Sequence, residues 1–270
     1  MSDAEVLIGE GAALLSLQDG IAHLQLNRPE SANGLDIPTL EALYRALMVC
    51  HGDRRVRVVL LTGAGANFCA GGDVKTFTSK GEGLSAYIRQ ATLHLQVAIN
   101  AMVHLDAPVI AAVQGFAAGG GGMGLVCAAD VVIAARSSKY LGGATRVAMA
   151  PDAGLSVTLP RLVGPRKAAE MLLMNPTVDA QEALELGLIS RIVDDESLLE
   201  DAMDYAKEMA KGAPLALAAT KRLLWAGVGL GIDAAMPEES RTVAELCKSE
   251  DVLEGLRAVI ERRKPEFRGK

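Results

Sequence analysis

No block of five or more basic residues occurs along this 270-residue chain, and its formal net charge is −6. The electrostatic footprint of a nucleic-acid binder is therefore missing, and an anionic ligand has to be held by local groups. Cysteine is sparse as well. Cys50, Cys69, Cys127 and Cys247 stand alone, without a CxxC pair or a paired histidine motif. That argues against a zinc site and a disulfide framework, and implies a reduced, cytoplasmic setting. The first residues, MSDAEVLIGEGA, carry acids where a signal peptide needs a basic region and a long apolar stretch. From Ala107 to Ala129 the chain runs 23 residues without a charge, the length of a membrane span. Six glycines, Gln114 and the opening Pro108 break that run, so it reads as a buried strand, a turn and a helix start, and no membrane span is expected.

Hydrophobic residues make up 50% of the chain, enough for one large domain or for a core with a smaller appendage. Two strands, Ala13 to Leu17 and Ile21 to Leu26, flank Asp19-Gly20, a tight hairpin turn. A helix from Pro38 to Cys50 follows, entered through Asp36 and Pro38, with Leu40, Leu43 and Leu47 on one face. Val56 to Thr62, Pro108 to Val113 and Asp130 to Ala135 read as buried strands, and Leu84 to Leu105 has helical periodicity. Strands alternating with helices predict an α/β fold with parallel pairing. Beyond them, helices are expected at Asp152 to Leu162, Ala168 to Met174 and Ala180 to Leu186, then a strand at Ile189 to Val193. Four amphipathic helices follow from Leu198. The expected organisation is a core over residues 1–197 and a helical region over 198–270 that packs between subunits.

Two glycine-rich segments each follow a buried strand: Phe68 to Lys75 (FCAGGDVK) and Gly119 to Gly124. In a parallel sheet both leave from the carboxyl ends of their strands, where ligands of α/β proteins bind. A strand turning into a helix through glycines leaves backbone N–H groups unpaired, with no Cβ in the way of another molecule's carbonyl oxygen. Donors fixed in that way can form an oxyanion hole. Gly119 to Gly124 also spells GxGxxG, yet no acidic residue stands about 20 residues further on, and no GxxxxGK[ST] occurs, so a dinucleotide or phosphate loop is disfavoured.

Asn27 to Leu35 (NRPxxxNxL), Phe68 to Lys75, Gly115 to Gly121 (GFAAGGG), Pro151 to Gly154 (PDAG) and Ala183 to Ile189 (AxxxGLI) together resemble the crotonase superfamily, the enoyl-CoA hydratase/isomerase group. The resemblance covers nearly the whole chain. It implies a crotonase-like spiral of ββα repeats and a C-terminal helical region that makes a homotrimer or a dimer of trimers. It also implies an acyl-CoA thioester as substrate, with coenzyme A present only as part of that substrate and no separate cofactor. Carried over by position, the two oxyanion N–H groups fall on Gly72 and Gly120. Coenzyme A contacts fall on Ala70, Gly71, Asp73, Val74 and Lys75, with Arg28 a candidate for a phosphate.

Departures from the pattern bear on the reaction. Hydratases of this family use two glutamates, one three residues after the oxyanion glycine and one seven before the proline of PxAG. Met123 and Ala144 stand there instead, and neither can move a proton. Asp152 remains as the working carboxylate, with the helix N-cap as its alternative role. The expected activity is an enoyl-CoA isomerase, one carboxylate sufficing for a 1,3-proton shift. The alternatives are a hydratase assisted by a residue such as Glu82, and a silent acyl-CoA binder. His94 and His104 read as boundary residues of their helix, Cys69 has no histidine beside it, and Phe77 and Leu84 read as packing.

Overall fold

The computed structural model describes residues 4–270. In chain order the first part comprises β1 (Glu5–Ile8), β2 (Ala13–Gln18), β3 (Ile21–Leu26), α1 (Ile37–Gly52), β4 (Val58–Gly63), α2 (Val74–Thr78) and α3 (Leu84–Val103). Next come β5 (Val109–Val113), β6 (Phe116–Ala118), α4 (Gly119–Ala128), β7 (Val131–Ala135), β8 (Lys139–Leu141), α5 (Leu155–Val163) and α6 (Pro165–Leu173). The chain closes with β9 (Val178–Asp179), α7 (Ala180–Glu185), β10 (Arg191–Val193), α8 (Leu198–Ala210), α9 (Pro214–Gly227), α10 (Ile232–Leu246) and α11 (Glu250–Glu261).

The main sheet has the order β1-β2-β3-β4-β5-β7-β10, and a small second sheet has the order β6-β8-β9. Strands β1 to β3 form an antiparallel meander, and β3, β4, β5, β7 and β10 pair in parallel. The β2–β3 hairpin turns through Asp19 and Gly20, with φ of 49° and 83°, as the right-handed twist of the strands demands. Helix α1 starts where Asp36 accepts the Thr39 N–H at 2.9 Å. Every residue of β4 is buried, the signature of a strand covered on both faces.

Each of the middle parallel strands is followed by a short piece of extended chain in the second layer and then by a helix. After β5 that piece is β6 and after β7 it is β8. After β4 it is the single residue Cys69, bridged to Ala117 of β6. This is the ββα succession expected. On one face of the sheet α1, α3 and α4 enclose the larger core cluster. On the other face Leu198, Ala202, Ala206 and Ala210 of α8 bury against Ile21, Val58, Leu60, Ile110 and Ile133. The region after residue 198 therefore begins with a helix that is integral to the core, and the more peripheral helices are α9 to α11. The uncharged run splits into β5, β6 and α4, and among the described residues no helix is long and apolar enough to cross a membrane.

Candidate active site

Asn33 organises the first glycine segment. It is buried with φ 55°, and its Nδ2 donates to the carbonyl oxygens of Ala64, Asn67 and Phe68 at 2.9, 2.8 and 3.1 Å. Its Oδ1 accepts the Arg28 N–H at 2.8 Å. The loop so held is tied to the second glycine segment by backbone bonds. Cys69 donates to Phe116 O at 3.0 Å and Ala118 donates to Cys69 O at 2.9 Å. As a dipeptide Asn33-Gly34 signals only a loop, and nothing in it announces the buried amide.

These ties set the two candidate oxyanion donors side by side. Leu35 N–H donates to Gly71 O at 2.7 Å, and Asp73 N–H donates to Leu35 O at 3.1 Å. A residue between two such bonds turns its own N–H to the opposite side, so the Gly72 N–H points away from Leu35. Gly120 is the second residue of α4, and its N–H has no intrahelical acceptor. Among the described residues neither N–H has a hydrogen-bond acceptor, and both glycines line one cavity of about 490 Å³. Its walls are largely apolar: Leu84, Ile88, Ala91 and Leu95 of α3 on one side, and the segment from Gly143 to Asp152 on the other.

Asp152 reaches this cavity by a route the sequence does not disclose. Helix α5 begins at Leu155 with Gly154 as its N-cap and without a side-chain cap bond, so Asp152 is not the cap. Instead Ala153 and Gly154 both take left-handed backbone, with φ of 51° and 78°, a turn closed by Leu155 N–H donating to Asp152 O at 2.9 Å. That turn seats on the glycine face of α4. A Cβ at Gly120 would overlap the Asp152 carboxylate, lying 2.6 Å from its Cγ, and a Cβ at Gly124 would overlap the Ala153 methyl. Only glycine at positions 120 and 124 lets the carboxylate and the helix start come this close. Burial pushes the Asp152 carboxyl above its ordinary value, against the opposing pull of its own backbone N–H. A carboxylate raised in this way is a stronger proton acceptor at neutral pH than an exposed one.

The other expected residues fall into distinct settings. Ala70 and Val74 line the cavity, whereas Gly71 is buried between strands and Lys75 is exposed on α2, beside a shallow depression shared with Val74 and Thr78. Asp73 caps α2 through the Thr76 N–H at 3.0 Å. Burial would raise its carboxyl, but Thr76 and Arg28 outweigh that and hold it low. The Arg28 guanidinium is committed to its own chain: it donates to Gly34 O and Thr39 Oγ1 and pairs with Asp36 and Asp73, each at 3.1 Å.

Met123 is fully buried in the core and does not reach the cavity, while Ala144 lines it. Glu82 is exposed on a single 3₁₀ turn and is absent from the cavity wall. Phe77 and Leu84, read from sequence as packing, both line the cavity, and the Phe77 ring lies 2.5 Å from where a Gly72 Cβ would be. His94 sits near Glu41 on the outside and His104 caps its own helix through Asn100 O. The Cys69 thiol, pushed up to about 12 by burial, donates to Asn33 O, which leaves it no nucleophilic character at neutral pH. Asn175 was missed: from a buried position its side chain bonds Gly143 N–H and Thr145 Oγ1 and so shapes the cavity wall.

Two unpaired N–H donors beside a half-buried carboxylate, in a largely apolar cavity, are suited to polarise a carbonyl and move a proton next to it. The chain belongs to the enoyl-CoA hydratase/isomerase family, whose pattern it matches over residues 16–270. Among curated relatives it is 36% identical to a probable enoyl-CoA hydratase of Rhodobacter capsulatus, over 94% of this chain and 96% of that one. It is 31% identical to the 1,2-epoxyphenylacetyl-CoA isomerase of Escherichia coli K12, over 95% and 98%. Of solved structures, a putative enoyl-CoA hydratase from Streptomyces coelicolor A3(2) superposes with a TM-score of 0.92 at 32% identity, covering 100% of this chain and 98% of that one. The fold is thus the crotonase-like α/β spiral.

The seating of Asp152 on Gly120 is directly testable. Gly120→Ala keeps the backbone donor but forces the carboxylate aside, and a displacement on the order of 1 Å costs about 10² in rate. Turnover of any thioester substrate should fall by about that factor with the cooperative unfolding transition retained. Wild-type rates in Gly120→Ala would show that the contact has no bearing on the chemistry.

Proposed function

We propose that this protein is an enoyl-CoA isomerase that shifts a double bond from position 3 to position 2 of an acyl-CoA thioester. The observation that supports it is that Asp152 supplies the cavity's one carboxylate among the lining residues, set against Gly120. In this reading the thioester oxygen accepts the Gly72 and Gly120 N–H groups. Asp152 removes a proton from C2, and the electron pair delocalises through the carbonyl and the C3–C4 double bond as a dienolate. The same carboxyl returns the proton at C4, and each oxyanion donor contributes about 3 to 4 kcal/mol in the transition state. Addition of water ordinarily needs a second acid–base group, and Met123 and Ala144 supply none.

Relatives bear both hydratase and isomerase names, so the choice rests on residues. A 3-enoyl-CoA should be turned over far faster than a 2-enoyl-CoA takes up water, followed by the absorbance of the conjugated thioester. Dominant hydration would overturn the isomerase reading, and binding without turnover would leave a silent acyl-CoA binder.

Assembly as a homotrimer or a dimer of trimers belongs to the same reading. Helices α9 to α11 present large apolar side chains to solvent, with Ile232, Val259 and Ile260 74%, 78% and 80% exposed, a pattern that marks surfaces covered by a partner. Light scattering should return three or six times 28.2 kDa. A stable monomer at micromolar concentration would refute the assembly.

A further inference from the structure

The cavity carries one cation. Arg146 lines it on the same segment as Ala144 and Asp152, and no carboxylate among the described residues pairs with it. Its guanidinium is nevertheless held in place. One Nη2 hydrogen donates to Asn175 O at 2.5 Å, and Asn175 is itself clamped, its side chain bonding Gly143 N–H and Thr145 Oγ1. A guanidinium has five N–H donors, so four remain for water or a ligand, in a planar fork that matches a carboxylate. Other exposed arginines without a carboxylate partner among the described residues, such as Arg54, Arg89 and Arg166, are absent from the cavity wall. Arg146 thus presents an oriented guanidinium without a carboxylate partner beside an otherwise largely apolar wall.

We infer that the acyl group bound here carries a second, distal carboxylate, which Arg146 receives: the substrate is the mono-thioester of a short dicarboxylic acid. The placement rests on the proton-transfer reading above. With the thioester oxygen at Gly72 and Gly120, Asp152 must face C2 to C4, so the segment that holds Asp152 also holds the acyl chain, and Arg146 lies six residues before Asp152 on it. The coenzyme A phosphates are the other anionic source on the ligand, and the Arg146 donors serve either chemistry.

Dissociation constants of unreactive, saturated ligands separate the two sources without any turnover. Wild-type protein should bind adipyl-CoA at least about tenfold more tightly than hexanoyl-CoA, the worth of a charge-assisted hydrogen bond at a partly exposed site. In Arg146→Gln that ratio should collapse to near one, and Arg146→Lys should restore part of it. A wild-type ratio near one overturns the inference, as does a ratio that survives Arg146→Gln. Equal weakening of adipyl-CoA, hexanoyl-CoA and free coenzyme A in Arg146→Gln would assign the residue to phosphate and also overturn it. Because no proton moves in these measurements, failure of the isomerase assay leaves the result standing, and the reverse holds too.

Discussion

Isomerisation of a 3-enoyl-CoA is expected to fall by about 10² to 10⁴ in Asp152→Asn, the usual loss when a general base is removed. The variant should stay folded, because α5 begins at Leu155 and Asp152 caps nothing. Its stability should even rise at neutral pH. Burial raises the carboxyl above its unfolded value, so the stabilisation tied to the protonated form is complete below the unfolded value and is lost as pH climbs through the folded one. At pH 7 the fold therefore carries a charge it disfavours, and the neutral amide does not. Tm of Asp152→Asn should exceed that of wild type at pH 7, and the gap should close in acid. By the same shift, the acid limb of kcat/KM in wild type should lie above the ordinary aspartate value. Full isomerase activity in a folded Asp152→Asn protein would remove the residue from proton transfer.

Lys221→Met is expected to cost about 3 to 5 kcal/mol of stability, the penalty for breaking a buried ion pair from one side. Lys221 on α9 is only 4% exposed. Its ammonium donates to Met102 O at 2.9 Å and Ala107 O at 3.2 Å and pairs with Asp130 at 2.9 Å, which uses all three of its hydrogens. Burial pulls its pKa down, and the attraction of Asp130 only partly restores it. Asp130 in turn accepts the Val109 N–H at 2.7 Å and the Trp225 Nε1–H at 3.2 Å. One cluster thus fastens α9 to the ends of α3, β5 and β7. Loss of the lysine leaves two carbonyls and a carboxylate short of a donor, and Tm measured by scanning calorimetry should drop on the order of 10 °C. A change under about 2 °C would show the pair to be dispensable. Pairing Lys221→Met with Asp130→Leu should recover part of the loss, since the stranded charge is then gone.

Long elements were legible in the sequence because periodicity accumulates over many residues. Helix α1, helix α3 and the buried strands β4, β5 and β7 appear within a few residues of where apolar spacing puts them. Strands β6, β8 and β9 have three, three and two residues, too few for any alternation to register, and β1 was equally silent. The two glycine-rich segments could be picked out because glycine leaves backbone donors open to close approach, whereas the choice of Gly72 and Gly120 within them came from the resemblance. The start of α5 could not. Pro151 is a strong helix-entry signal, and a left-handed alanine at position 153 overrides it only because its methyl seats on Gly124, a tertiary contact. Arg146 and Asn175 were invisible for a related reason. One looks like any surface arginine and the other like any loop asparagine until their mutual hydrogen bond is seen.

Asn33-Gly34 is also, chemically, among the most perishable dipeptides a protein can contain, since the glycine nitrogen can attack the asparagine side chain and expel ammonia through a cyclic imide. In the folded chain both partners are occupied: the Asn33 amide is buried on three carbonyls, and the Gly34 N–H is bonded to Ser31 O at 2.9 Å. Unfolding releases both at once. The aspartate or isoaspartate that forms offers acceptors where Ala64, Asn67 and Phe68 present acceptors of their own, so a chain that ages while unfolded cannot rebuild the loop that carries Gly72. The side chain that shapes the site thereby also sets a clock on how long the protein can stay unfolded and still return.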